Sequence, residues 1–169
     1  MNNRFILRAQ LRAVIPNGVV LHASSVAKEN RAFIFMGRSD AGKSTITNKL
    51  AQTEYGAIAD DSIVISKGTD NIIRCLPCGS MKQLTDNNKI RSAELKSIYF
   101  VEKGTPGIKI PIEPKYAFYR AITTSSILAL NHISKAEQEQ AIAFLKKLFQ
   151  IFPTYLIRYG LNDQPEMFL

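Results

Sequence analysis

No stretch of this 169-residue sequence approaches the run of about 18 apolar residues that a membrane-spanning helix needs. The first apolar segment is interrupted by Arg8, Gln10 and Arg12 before it reaches the length of a signal-peptide core, so a cytoplasmic location is the default expectation. Cysteine is scarce: Cys75 and Cys78 alone cannot build a disulfide scaffold and do not point to an oxidising compartment. Acidic residues are the minority charge, 14 against 22 Lys and Arg, and the net charge of +8 favours anionic partners such as nucleotide phosphates, nucleic acid or acidic protein faces. The basic residues are scattered, with only Lys146 and Lys147 adjacent, and no aromatic-basic stripe occurs, which argues against nucleic acid. Repeats, low-complexity tracts and linkers are also missing. With 46% apolar residues the chain has enough to bury a core, and residues 1–169 are read as a single domain.

What remains is an α/β pattern. Phe5, Leu7, Leu11, Val14 and Ile15 among arginines predict an amphipathic helix over 3–15, stopped by the turn cluster Pro16-Asn17-Gly18. Val19 to Ala23 is a short apolar run, and Arg31 to Met36 has the Phe and Ile content of a buried strand. A helix through about Gln52 follows, then strands at Ala57–Ala59, Ile63–Ser66 and Ile72–Leu76, the last two flanking a hairpin turn at Lys67–Asn71. Ile98–Val101 and Ile108–Ile112 are further strands, separated by Gly104-Thr105-Pro106-Gly107. Beyond Pro114 the chain turns helical. Ile142, Leu145, Leu148 and Phe149 recur at helical spacing over 135–151, and Ser134 with Glu137 forms a capping box. Pro153 ends that helix, and Tyr155–Tyr159 reads as a last strand. Hairpins and a strand–loop–helix unit together predict an α/β fold with a mixed sheet and flanking helices.

One segment carries chemistry. Gly37-Arg38-Ser39-Asp40-Ala41-Gly42-Lys43-Ser44-Thr45 matches G-x-x-x-x-G-K-[ST] between an apolar strand and a helix. Such a loop turns its backbone N–H groups into a nest for phosphate oxygens, and the helix adds the positive end of its dipole. Residues 37–45 are therefore the expected nucleotide-binding loop, with Lys43 reaching the β- and γ-phosphates and the Ser44 hydroxyl on Mg²⁺. The expected ligand is Mg-ATP, and GTP is not separated from it. Asp40 sets an acidic side chain beside an anion site, but aspartate tolerates left-handed backbone better than most residues and could point outward.

A second signal follows 17 residues after Lys43, where Gly56-Ala57-Ile58-Ala59 ends in Asp60-Asp61. That interval holds a helix of about three turns, a short connection and one strand. In a parallel strand–helix–strand unit the second strand would end beside the phosphate loop. One carboxylate there can hold the metal while the other accepts a proton from an attacking hydroxyl. A small GTPase is excluded by the missing D-x-x-G and N-K-x-D patterns; Asn48-Lys49-Leu50-Ala51 lacks the aspartate and is misplaced.

Leu21-His22-Ala23-Ser24-Ser25, the strand and loop that follow, and Ile58-Ala59-Asp60-Asp61 resemble the catalytic domain of HPr kinase/phosphorylase and its small relatives, a group similar to ATP-dependent phosphoenolpyruvate carboxykinase. The likeness is strongest over residues 19–66. It implies a P-loop domain of the HPr kinase/PEP carboxykinase-like type and an ATP-dependent kinase acting on a serine of a protein or peptide. By the same likeness the catalytic residues would be Asp60 as general base, His22 as its support and Lys43, with Ser44 and Asp61 as the Mg²⁺ contacts. His22 would hydrogen-bond Asp60 or a phosphate oxygen. The family's E-I-R-G-L-G signature has no counterpart after residue 66, and its additional N-terminal domain has none in 169 residues, so HPr itself is not the expected substrate. Shorter relatives that modify a protein or peptide serine fit better, and assembly into a homo-oligomer is left open. Arg74, Arg91, Lys103 and Arg120 are unranked candidates for a further cation.

Two other readings of function stand beside this one: a nucleotide-binding sensor without turnover, and a small-molecule kinase or carboxykinase-like enzyme. Cys75-Leu76-Pro77-Cys78 has C-x-x-C spacing without a second pair, and a zinc site would need His22 or His132 from elsewhere. Tyr116, Phe118 and Tyr119 are read as core or a partner face rather than a base-stacking platform.

Overall fold

The strand Arg31–Met36 (β3) is buried almost throughout because both of its faces are covered. The structure, a computed structural model, describes residues 3–78, 90–105, 107–124, 126–160 and 162–169, excepting the side chains of residues 3 and 4. Pro106 of the expected turn lies outside the described residues. In chain order the other elements are α1 (Asn3–Val14), β1 (Gly18–Leu21), β2 (Ala23–Lys28), α2 (Lys43–Leu50), β4 (Gly56–Ala59), β5 (Ile63–Lys67), β6 (Ile73–Pro77), β7 (Ala93–Glu102), β8 (Ile108–Pro111), α3 (Pro114–Thr123), α4 (Lys135–Ile151) and β9 (Thr154–Arg158).

The strands form one mixed sheet with the path β1-β5-β6-β7-β3-β2-β4, and β9, with β8 beyond it, joins β7. β3, β7 and β9 run parallel, whereas β2 is antiparallel to both β3 and β4. One face of β3 and β7 carries Ile34, Met36, Ile98 and Phe100 against Phe144, Leu145, Leu148 and Phe149 of α4 and Ala117 and Ala121 of α3. The opposite face carries Phe35, Tyr99 and Val101 against Ile46 and Leu50 of α2 and the C-terminal Phe168. That alternation is the period-2 geometry of a strand buried on both sides. α4 begins at the expected capping box: Glu137 N–H donates to Ser134 Oγ, and Ser134 N–H donates to a Glu137 carboxylate oxygen.

Two sequence expectations need correction. Ala23–Lys28 is a full strand, whose pattern is disguised by the buried Ser24 and Ser25. It inserts between β3 and β4, so the expected parallel neighbours are not adjacent. β4 still runs in the same sense as β3, being antiparallel to β2 in turn, and its carboxyl end reaches the same side of the sheet.

Candidate functional site

Four strands deliver their carboxyl ends to one edge: β3 at Met36, β4 at Ala59, β7 at Glu102 and β9 at Arg158. In open α/β sheets this edge is where ligands bind. The register sets the neighbours. Ala23 pairs with Met36 and Ser25 with Ala59, so His22, Gly37 and Asp60 leave the sheet side by side.

Two sheet corners meet there. Between β1 and β2 the chain breaks strand geometry at His22, and between β4 and β5 it does so over Asp60, Asp61 and Ser62. Because β1 pairs with β5 while β2 pairs with β4, the corners adjoin. His22 Nδ1 lies 3.0 Å from the Asp61 carbonyl oxygen and 3.2 Å from Asp61 Oδ1. Both are acceptors, so Nδ1 carries the proton and donates. Of the two partners expected for His22, Asp60 or a phosphate oxygen, the first is corrected: the corner geometry presents Asp61 to Nδ1 instead. Asp60 Oδ1 is buried and has no hydrogen-bond partner.

The loop from Gly37 to Gly42 is built from unusual backbone. Gly37 has φ +152°, and a Cβ there would stand 2.8 Å from the Val101 carbonyl oxygen, so the loop leaves β3 pressed against β7. Asp40 adopts φ +62°, the left-handed geometry expected of it, and Gly42 has φ +101° at the N-terminus of α2. Arg38, Ser39, Asp40 and Ser44 are exposed, Ala41, Gly42 and Thr45 half-buried, and Lys43 is only 6% exposed. Lys43 Nζ donates to the carbonyls of Gly37 at 3.0 Å and Arg38 at 2.9 Å, folding over its own loop. Burial lowers its pKa, and the carboxylates of Asp61, Asp40 and Asp60, in that order, oppose the shift. Thr47 Oγ1 donates to Ser24 Oγ at 2.8 Å, both buried, which ties α2 to β2 and holds the helix start beside the corner.

Basic residues surround the loop's first half. Arg120 from α3 is ion-paired with Glu102, whose other carboxylate oxygen is 3.6 Å from Arg158 Nε. Burial, followed by the neighbouring Arg38 and Arg158, lowers the Arg120 pKa. Of the four candidate cations, Arg120 and Lys103 line clefts at the loop, while Arg74 is engaged with Asp70 in the β5–β6 turn. Glu102 and Arg158 were not singled out by the sequence. A charged residue ending an apolar strand was the available signal.

Two clefts open on either side of the loop. One of about 890 Å³ is lined by Gly37 to Ala41 together with residues of β7, β8 and α3. The other, of about 620 Å³, is lined by Asp40 to Thr45, Lys103, Gly104, Tyr159 and Gly160. Away from this edge, Cys75 and Cys78 are free and buried. Burial pushes both thiols up, and Cys78 Sγ donates to Gln10 Oε1 at 2.6 Å. Among the described residues no three His, Cys, Asp or Glu side chains are grouped to hold a metal unaided, and no helix is long and apolar enough to cross a membrane.

This architecture is an α/β fold with a mixed sheet and flanking helices that broadly resembles the HPr-kinase-like structural type. The solved Hpr(Ser) kinase/phosphatase from Coxiella burnetii superposes with a TM-score of 0.53 at 12% identity, covering 88% of this chain and 84% of that one. At that identity the likeness is one of fold. Residues 3–158 match the family described as SynChlorMet cassette protein ScmC, and the chain belongs to it. No curated protein matches the sequence.

Proposed function

We propose that this protein is an ATP-dependent phosphotransferase that phosphorylates a serine hydroxyl on a protein or peptide, working as one nucleotide-binding domain. The observation that carries the reading is Asp60 Oδ1, a buried acceptor with no partner at the carboxyl end of β4, close enough to Lys43 for their charges to interact. Leaving a buried carboxylate oxygen unpaired costs stability, and such groups mark places where a ligand or substrate completes the bonding.

The residues fit Mg-ATP. Gly37 lets the loop leave β3 against the Val101 carbonyl, where a Cβ would clash, and the loop N–H groups of residues 37–45 suit phosphate oxygens. Lys43 holds loop carbonyls that phosphates can outbid, since an ammonium binds an anionic oxygen more strongly than a neutral one. Ser44 and Asp61 would contact Mg²⁺, with Asp61 oriented by the His22 Nδ1–H. An ion held by one carboxylate, one hydroxyl and substrate phosphates needs no prebuilt protein cage. Mg-ATP supplies the phosphoryl group and the neutralising charge. Asp60 would accept the proton from the serine Oγ as that oxygen forms its bond to phosphorus and ADP departs. Arg120 and Arg38 would stabilise charge on the transferring group.

A nucleotide sensor without turnover is the second reading, favoured by Asp40, an exposed carboxylate within the loop that acts on Lys43. The two separate by experiment. Mg-ATP and Mg-GTP are titrated calorimetrically into wild type and Lys43→Ala, and transfer from γ-labelled ATP to serine-bearing peptides is followed. Kinase function predicts binding that Lys43→Ala weakens at least about tenfold, and a labelled phosphoserine product. Binding without product across the panel favours the sensor, and wild type that binds neither nucleotide sinks both.

A further inference from the structure

Seven large apolar side chains are exposed among the described residues, and three of them, Ile110, Tyr116 and Tyr119, line a single cleft. Their exposures are 47%, 62% and 70%, values that waste apolar surface unless something covers it. Ile112 and Leu156 continue the apolar wall. The cleft is the larger of the two at the loop, and Gly37, Arg38 and Thr124 also line it.

We infer that this groove between α3 and β8 binds an acidic peptide segment bearing an aromatic or aliphatic side chain, and leads its hydroxyl to the carboxylates at the sheet edge. The inference rests on the phosphotransfer reading and names its substrate class.

Three observations select that occupant. The charge is complementary: Arg38, Lys103 and Arg120 line the groove with Arg158 behind Glu102, against only Asp40 and Glu102. The whole chain repeats the bias at +8, so acidic residues flanking an apolar anchor are drawn in and basic ones repelled. The groove wall is also tied to the candidate site by hydrogen bonds. Thr124 Oγ1 lies 2.8 Å from Ser126 Oγ, the Ser126 carbonyl accepts from His22 N–H at 2.7 Å, and His22 holds Asp61. Finally, the loop divides the two clefts by role. Gly42 to Thr45, at the start of α2, line the smaller cleft, where a nucleoside would extend from the phosphates. The larger cleft faces the loop's first half, on the side left for an acceptor. Pro111 denies β8 one outward N–H donor, so the wall grips by side chains rather than by adding a strand.

The test uses a fluorescein-labelled synthetic peptide composed of Asp, Glu, Phe and one Ser, with a Phe→Ala version and a version carrying Lys in place of Asp and Glu. Binding to the full chain is read by anisotropy, for wild type and for Tyr116→Ala/Tyr119→Ala. Thermal melts check folding, light scattering measures mass, and Mg-ATP binding and transfer from γ-labelled ATP to the peptide serine are recorded on the same samples. Expected is saturable binding of the parent peptide, weakened about tenfold or more by either peptide change and by the double substitution. A wild type that ignores the peptide, or a double variant that binds equally well, overturns the inference. So does loss of Mg-ATP binding in the folded double variant, which would give the groove to the nucleotide. A dimer that the double variant dissolves would give it to a second copy of the chain. Peptide binding without phosphate transfer keeps the groove and refutes the phosphotransfer reading instead.

Discussion

Under the proposed function, replacing Asp60 by asparagine is expected to separate catalysis from stability in a way that the local geometry makes specific. The side chain keeps its size and loses its charge. A general base contributes about 10²–10⁴ in rate, so kcat is expected to fall by that factor, about 3–5 kcal/mol in barrier. Stability should move the other way. Asp60 Oδ1 is buried without a partner, an arrangement costing about 1–3 kcal/mol and more when the group is charged. An amide still leaves a polar atom in that place, so only part of the cost, about 1 kcal/mol, is recovered. For a domain of this size that corresponds to a rise in Tm of about 2–4 °C. The opposing loss is small, because Asp60 ranks last of the three carboxylates that act on Lys43. Three measurements on Asp60→Asn suffice: calorimetric binding of Mg-ATP, single-turnover transfer from labelled ATP, and differential scanning calorimetry. The expected triple is affinity retained within about twofold, transfer reduced at least about a hundredfold, and Tm raised. Undiminished transfer would refute Asp60 as the base. Transfer and ATP binding lost together, with Tm down by several degrees, would show that Asp60 serves structure.

Gly37→Ala places a methyl at φ +152° and 2.8 Å from the Val101 carbonyl oxygen, and should cost about 1–3 kcal/mol in a denaturant titration while abolishing Mg-ATP binding. Full stability in that variant would mean the loop leaves β3 differently. His22→Ala removes the donor that orients Asp61 and should weaken the Mg²⁺ dependence of nucleotide binding about 10–100-fold, with His22→Asn restoring part of it. An unchanged Mg²⁺ titration would remove Asp61 from the metal site. In the β5–β6 turn, Arg74 lowers the Asp70 pKa from 3.8 to about 2. Because the folded value is the lower one, the stabilisation is complete above the unfolded pKa and is lost as pH falls toward 2. Asp70→Asn should therefore flatten the acid limb between about pH 4 and 2, and a limb identical to wild type would show the pair to be idle.

Much of the fold was legible because its signals are local. The α4 cap depends on Ser134 and Glu137 three residues apart, and helix periodicity and Pro153 bound the helix without reference to anything distant. The β5–β6 hairpin likewise closes around its own turn, with Gly68 N–H donating to the Ile72 carbonyl. Strand β2 was not read from the sequence because the apolar run ends at Ala23 and the polar Ser24 and Ser25 become buried only in the sheet. Thr47 then satisfies Ser24, a partner 23 residues away.

The candidate site divides along the same line. Gly37 to Thr45 was recognisable by itself, since the G-x-x-x-x-G-K-[ST] pattern and a helix start are encoded in nine consecutive residues. Asp60 and Asp61 stood out by their interval after the loop. Which of them His22 would hold was decided by tertiary structure, because two adjoining strand corners present Asp61 and leave Asp60 Oδ1 unpaired. The choice of Arg120 over Arg74 was decided there too: α3 brings one arginine to Glu102 at the sheet edge, while a hairpin keeps the other with Asp70. Contacts set by neighbours in sequence can be read along the chain. Those set by strand order and register exist only once the sheet has formed.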